Sequence, residues 1–228
     1  MNFQNWRRGA FILVFLGASI YIVLTLVAML VYTGGTYTNP DASGYSFLNN
    51  FFSDLGRTVA HSGEANTIAW ILFTASVLTI GIAMILFYSA WISLFQDDAS
   101  TYRLSQVGSI FGIIAAIGFI GVGLTPWDLL LEPHFLSVRI GFFFTFIAST
   151  IYSFVLYRQT TYPRVYLNTL LTFTGISFLY LILLFFGPAA ETTEGLFIQV
   201  VGQKIIVYIM AVVFSIQGYG ALKVSTST

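Results

Sequence analysis

Apolar positions along the chain gather into six long runs separated by polar intervals, at about 10–33, 66–95, 105–125, 134–157, 165–187 and 195–222. A bilayer core about 30 Å thick needs roughly 20 predominantly apolar residues per helix, and each run is long enough. The intervals carry helix-stop signals: Gly34-Gly35, Gln96-Asp97-Asp98, Pro126, Arg158 to Arg164 with Pro163, and Gly187-Pro188. Arg7 and Arg8 precede the first run, as in a signal peptide. That run is nevertheless longer than a signal core of roughly 7 to 15 residues, and no A-x-A-like site follows, so a retained helix is expected. The pattern predicts an all-α fold, a polytopic integral membrane six-helix bundle forming one transmembrane domain over 1–228.

Only the first interval is long. Gly34 to Gly44 (GGTYTNPDASG) reads as a surface loop of turn-forming residues. From Tyr45 apolar residues return, and Asp54, Arg57, His61 and Glu64 follow at i, i+3, i+7 and i+10, which places them on one face of a helix. A short interfacial or re-entrant helix over 45–64, feeding the second span, is expected.

Composition sharpens this picture. The chain is 57% hydrophobic and only 8% charged, whereas about a quarter of a soluble domain is charged. Net charge is zero with no basic cluster, so no long-range field draws nucleic acid, and that partner class is excluded. The absence of cysteine excludes disulfides, thiolate nucleophiles and Cys-based metal sites.

Six of the nine basic residues (Arg7, Arg8, Arg103, Arg158, Arg164, Lys223) fall on the side that holds both ends of the chain, and Arg57, Arg139 and Lys204 on the other. The positive-inside rule then puts both termini in the cytoplasm of a cell-membrane protein. Of the nine acidic residues only Asp97 and Asp98 share that side. The candidate chemistry is therefore expected on the outer side.

Two polar stretches hold it, Asn49 to Glu64 and Thr125 to Arg139, with one of the two histidines in each. Asp54, His61, Asp128 and His134 are the candidate catalytic residues. His61, His134 and Asp128 make a minimal ligand set for a divalent metal such as zinc, which would lower the pKa of a bound water towards about 7. The alternative is two interfacial histidines beside hydrogen-bonded neighbours. Arg57, Glu132, Arg139, Gln199, Gln203 and Lys204 are candidate binding residues. Arg139 and Lys204 lie inside apolar spans, where an ionisable side chain is costly unless it is paired or lines water. Asp54, Asp128 and Glu132 are their expected partners. The third span carries glycines at 108, 112, 118, 121 and 123. Its Gly108-x-x-x-Gly112 pattern suits close helix packing within the chain or a homo-oligomer contact. Tyr and Trp residues near span ends, Trp127 among them, read as interfacial anchors.

N-N-x-x-S-D-L-G at Asn49 to Gly56, T-P-W-D at Thr125 to Asp128, the histidine opening the fourth span and E-G-x-x-x-Q-x-x-G-Q-K at Glu194 to Lys204 resemble a prokaryotic six-helix membrane family of unknown function. More distantly the layout is similar to the DRAM and PGAP-type (Frag-like) proteins, linked to autophagy and to GPI-lipid remodelling. It also resembles the ceramidase and adiponectin-receptor superfamily. With two histidines instead of three, that superfamily's zinc site does not transfer intact. The expected function is binding or processing of a membrane lipid or amphipathic small molecule at an outer polar pocket. A non-catalytic accessory subunit is the alternative, and a small-molecule or ion transporter the third reading.

Overall fold

The computed structural model describes residues 3–227. Its helices are α1 (Phe3–Leu30), α2 (Thr67–Trp91), α3 (Ala99–Leu124), α4 (Leu131–Arg158), α5 (Arg164–Phe186) and α6 (Thr193–Ser227), with short 3-10 segments at Phe52–Gly56 and Ile92–Phe95. All six are long and apolar enough to cross a membrane, the qualifying stretches running from 23 to 34 residues. At 1.5 Å per residue the shortest still covers about 35 Å. Large apolar side chains point away from the bundle, with Leu30, Ile68, Leu179 and Phe186 between 63% and 85% exposed. Such an apolar perimeter is suited to lipid rather than water.

Each helix packs against its neighbours in sequence, and α6 returns to α1, closing the ring. The two ends of the bundle differ. One carries both termini and the α2–α3 and α4–α5 turns; the other, here the loop end, carries the long α1–α2 loop with the α3–α4 and α5–α6 connections.

The helices start and stop where local chemistry allows. The Asp98 carboxylate accepts the Thr101 N–H at 2.8 Å and its hydroxyl at 2.6 Å, an N-cap that starts α3 well ahead of residue 105. Pro133 falls in the first turn of α4, where its missing N–H has no intrahelical partner to lose, and the His134 N–H donates to the Leu130 carbonyl. Small residues set the helix spacing. A Cβ on Gly118 would lie 2.6 Å from the Gly141 backbone nitrogen, so α3 and α4 meet backbone to backbone. Gly108 and Gly112 are covered from within the chain by the rings of Tyr152 and Tyr88.

Aromatic rings fill the terminal half of the core. Trp91 stacks on Tyr152 with centroids 4.0 Å apart, and Phe87, Phe95 and Tyr162 pack around them. The Tyr152 hydroxyl meets the Ser109 hydroxyl at 2.5 Å and donates to the Ser105 carbonyl, so its one polar atom is satisfied in an apolar setting.

The loop end departs from expectation. In place of a helix over 45–64 there is only the 3-10 segment Phe52–Gly56, followed by turns and a single antiparallel bridge between Val59 and Ala65. Side chains take the backbone groups that a helix would have paired internally. Asp128 accepts the N–H groups of Thr58 and Val59, and Asn66 Nδ2 donates to the carbonyls of Asp54, Leu55 and Arg57. Asp54, Arg57, His61 and Glu64 therefore do not share a helical face.

Candidate functional site

The α1–α2 loop is built around two fully buried polar side chains. Asn50 donates from Nδ2 to the Gly35 carbonyl and to Asp54 Oδ2, each at 2.9 Å, while its Oδ1 accepts the Ser46 N–H at 2.8 Å. Asp54 accepts a further bond from the Phe51 N–H at 2.9 Å and lies 3.2 Å from His61 Nε2. Both residues have no accessible surface, and desolvation of this kind is tolerated only with partners in place. Gly35, at φ +79°, passes so close to Ser62 and His61 that no Cβ could stand there. That crossing holds the His61 backbone, whose N–H donates to the Tyr32 hydroxyl.

The α3–α4 connection clamps the loop from the other side. Asp128 receives the Thr58 hydroxyl at 2.6 Å together with the two N–H groups. Burial works against its ionisation, yet the Thr58 hydroxyl and the Val59 and Thr58 N–H groups outweigh it and hold the carboxyl below the ordinary carboxylate range. Beside it, Trp127 takes the Arg57 guanidinium over its ring at 4.4 Å and packs near His61 and Tyr37. Trp127, read from sequence as an interfacial anchor, is thus a wall of the site.

Helix α6 supplies the third side. Gln203 Oε1 accepts the Phe52 N–H at 2.7 Å. Lys204, 2% exposed, donates to the Asn50 carbonyl and sits within 5.1 to 5.8 Å of the ring centroids of Phe47, Tyr45 and Phe52. The expected carboxylate pairing of Lys204 and Arg139 is not what the fold uses. Among the described residues neither has an acidic group within 4 Å, and Lys204 rests instead on a carbonyl and three aromatic faces. Arg139 is exposed and lines a cavity, and Glu132 is also exposed, without an ion pair.

This cavity, about 460 Å³, lies between the loop, the α3–α4 connection and helices α4, α5 and α6. Phe51, Val138, Tyr180 and Leu184 give it apolar walls, while Trp127, His134, Arg139, Glu191, Gln199 and Gln203 contribute polar groups. Leu131 and Phe135 line it too and are each 43% exposed, so it reaches the apolar perimeter at the start of α4. A smaller void of about 50 Å³, almost wholly apolar, adjoins it and shares Ser53, Val138 and Gln203.

Apart from Glu132, which is exposed and does not line the cavity, the candidate residues fall into two groups. His134, Arg139, Gln199 and Gln203 line the cavity. Asp54, Arg57, His61, Asp128 and Lys204 build the loop behind it, their polar atoms turned to the loop's own backbone and rings. No three His, Asp or Glu side chains among the described residues gather as a metal-ligand set. Of the expected trio, Asp128 is occupied by Thr58 and Val59, His61 turns to Asp54, and His134 Nδ1 is 2.7 Å from the Thr125 carbonyl. Sequence reasoning passed over Asn50 and Asn66, both buried carboxamides that organise the loop. Their signal was one amide inside the short polar stretch that also holds Asp54 and a second just past its end. No protein-family model, curated protein or solved structure matches this chain.

Proposed function

We propose that this is a membrane protein with both termini in the cytoplasm that binds a lipid or similar amphipathic small molecule in the cavity at its outer, loop end. The carrying observation is the cavity's two-part lining: apolar walls that reach the bundle perimeter at Leu131 and Phe135, and polar groups on α4, α6 and the two connections. A volume of about 460 Å³ lies in the range of small-molecule sites. A ligand with a polar head and an apolar tail meets both parts at once, its tail leaving towards the bilayer.

Binding is favoured over catalysis because the two candidate catalytic carboxylates are spent on the loop, which leaves His134 as the one candidate catalytic residue lining the cavity. A general base must reach its substrate's proton directly or through one water. Asp54 has no accessible surface and does not line the cavity, and Asp128 is consumed by three donors from the loop. The same observation supports the second reading, an accessory subunit in which these groups only hold the bundle together.

Purification of the full chain in mild detergent, followed by native mass spectrometry, separates the two. The first reading expects about one retained amphiphile per chain, lost in Leu184→Trp, which fills the cavity, without a fall in melting temperature. No retained amphiphile, or equal retention in Leu184→Trp, overturns it.

A further inference from the structure

Two residues of the cavity lining, His134 and Trp127, each carry a buried polar atom with no partner in the protein, and the two atoms are opposite in sense. His134 is 2% exposed, and its Nδ1 lies 2.7 Å from the Thr125 carbonyl. A carbonyl oxygen only accepts, so Nδ1 carries the proton and Nε2 of the neutral ring is an acceptor. That Nε2 has no donor. Trp127 Nε1 can only donate, and it has no acceptor. Buried polar atoms are nearly always paired, so two open ones on the lining residues of one cavity point to what it takes in.

Two charges lie in the same lining, also unpaired. Arg139 and Glu191 both line the cavity, and among the described residues neither forms an ion pair. A complementary ligand therefore brings an anion for Arg139, a cation for Glu191, a donor for His134 Nε2 and an acceptor for Trp127 Nε1. Resting on the lipid-binding reading above, we infer that the cavity selects a zwitterionic amphiphile whose headgroup joins a phosphate to a primary ammonium.

Each rival headgroup fails at a named residue. A choline headgroup carries both charges but no N–H, and leaves His134 Nε2 unmet. A glycerol headgroup offers hydroxyl donors with its phosphate, but it has no cation and leaves Glu191 unpaired beside a net negative ligand. The phosphate in all three serves Arg139, whose planar guanidinium suits it.

The test uses delipidated full-length protein in detergent and three phospholipids with identical acyl chains, bearing ethanolamine, choline or glycerol headgroups, with affinity read by native mass spectrometry titration. The ethanolamine lipid is expected to bind at least fivefold more tightly than either of the others. Glu191→Gln should cancel its lead over the glycerol lipid, His134→Phe its lead over the choline lipid, and Arg139→Gln should weaken all three. The comparison among lipids on the unaltered protein stands even if a variant fails to fold. Equal or tighter binding of the choline or glycerol lipid overturns the zwitterion inference and leaves lipid binding standing. Failure of all three to bind overturns both.

Discussion

The Lys204 ammonium rests on the Asn50 carbonyl and within 5.8 Å of three ring centroids, and this decides what its removal costs. Breaking a buried ion pair strands a charge and costs about 3 to 5 kcal/mol. Lys204→Met leaves no ion-pair partner behind, because the group it gives up is the neutral Asn50 carbonyl, which shares the Tyr45 hydroxyl with the Phe51 carbonyl. The expected loss is that of a charge-assisted hydrogen bond, about 1.5 to 3 kcal/mol. Asp54→Asn is expected to cost more, about 2 to 4 kcal/mol, because an amide group then faces donors that had a carboxylate. Combining the two should deepen the loss, whereas an ion pair would show partial rescue; unfolding in detergent reads the difference. The depth of Lys204 is legible in the sequence, since the helical rise puts it roughly 15 Å along α6 from Glu194. Its partner is not. A carboxylate is the default expectation for a buried ammonium, while a free main-chain carbonyl exists only because residues 45–64 decline to form a helix.

The six helices are readable from apolar run length, because a span must satisfy its backbone internally and apolar runs of 20 or more residues leave few alternatives. The loop is not readable in this way. Asp54, Arg57, His61 and Glu64 repeat at helical spacing, yet Asn66, just past the stretch, and Asp128, distant in sequence, capture the carbonyl and N–H groups a helix needs. Asp128 thus ties the α3–α4 connection to the loop, and the tie depends on pH. Its carboxyl is held below the ordinary range, so the folded state binds its proton less readily than the unfolded chain does. The contribution to stability is whole above about pH 4, the unfolded carboxylate value, and is lost as pH falls through the lower folded value. Limited proteolysis of the α1–α2 loop is expected to accelerate over that acid range. Asp128→Asn should cut faster at neutral pH and lose most of the acid response. An unchanged acid response in that variant would assign it to other carboxylates.

At the scale of the molecule, six helices closing into a ring place both termini at one end and the cavity at the other. The proposed orientation rests on the six-to-three distribution of basic residues between these ends. Single cysteines at Ser43, Ala99, Thr161 and Thr193, all exposed, test it with an impermeant thiol reagent on intact cells. Ser43 and Thr193 are expected to label and the other two to stay dark; the inverse pattern would turn the cavity towards the cytoplasm. The convergence of the two polar stretches at one end follows from counting spans. The cavity between them does not, because its shape depends on Tyr180 and Leu184 of α5, which carry no distinguishing pattern in the sequence.

The Phe52 N–H finds its acceptor 151 residues later in the chain, at Gln203, and the Asn50 carbonyl meets Lys204 154 residues on. A ribosome adding about 5 to 20 residues per second therefore makes the loop wait roughly 8 to 30 seconds for its final partners. By the end of that interval five helices have emerged while these two backbone groups still await α6. Assembly of the cavity thus waits for α6, and a nascent chain halted before it carries a loop held to Asp128 on one side and open on the other.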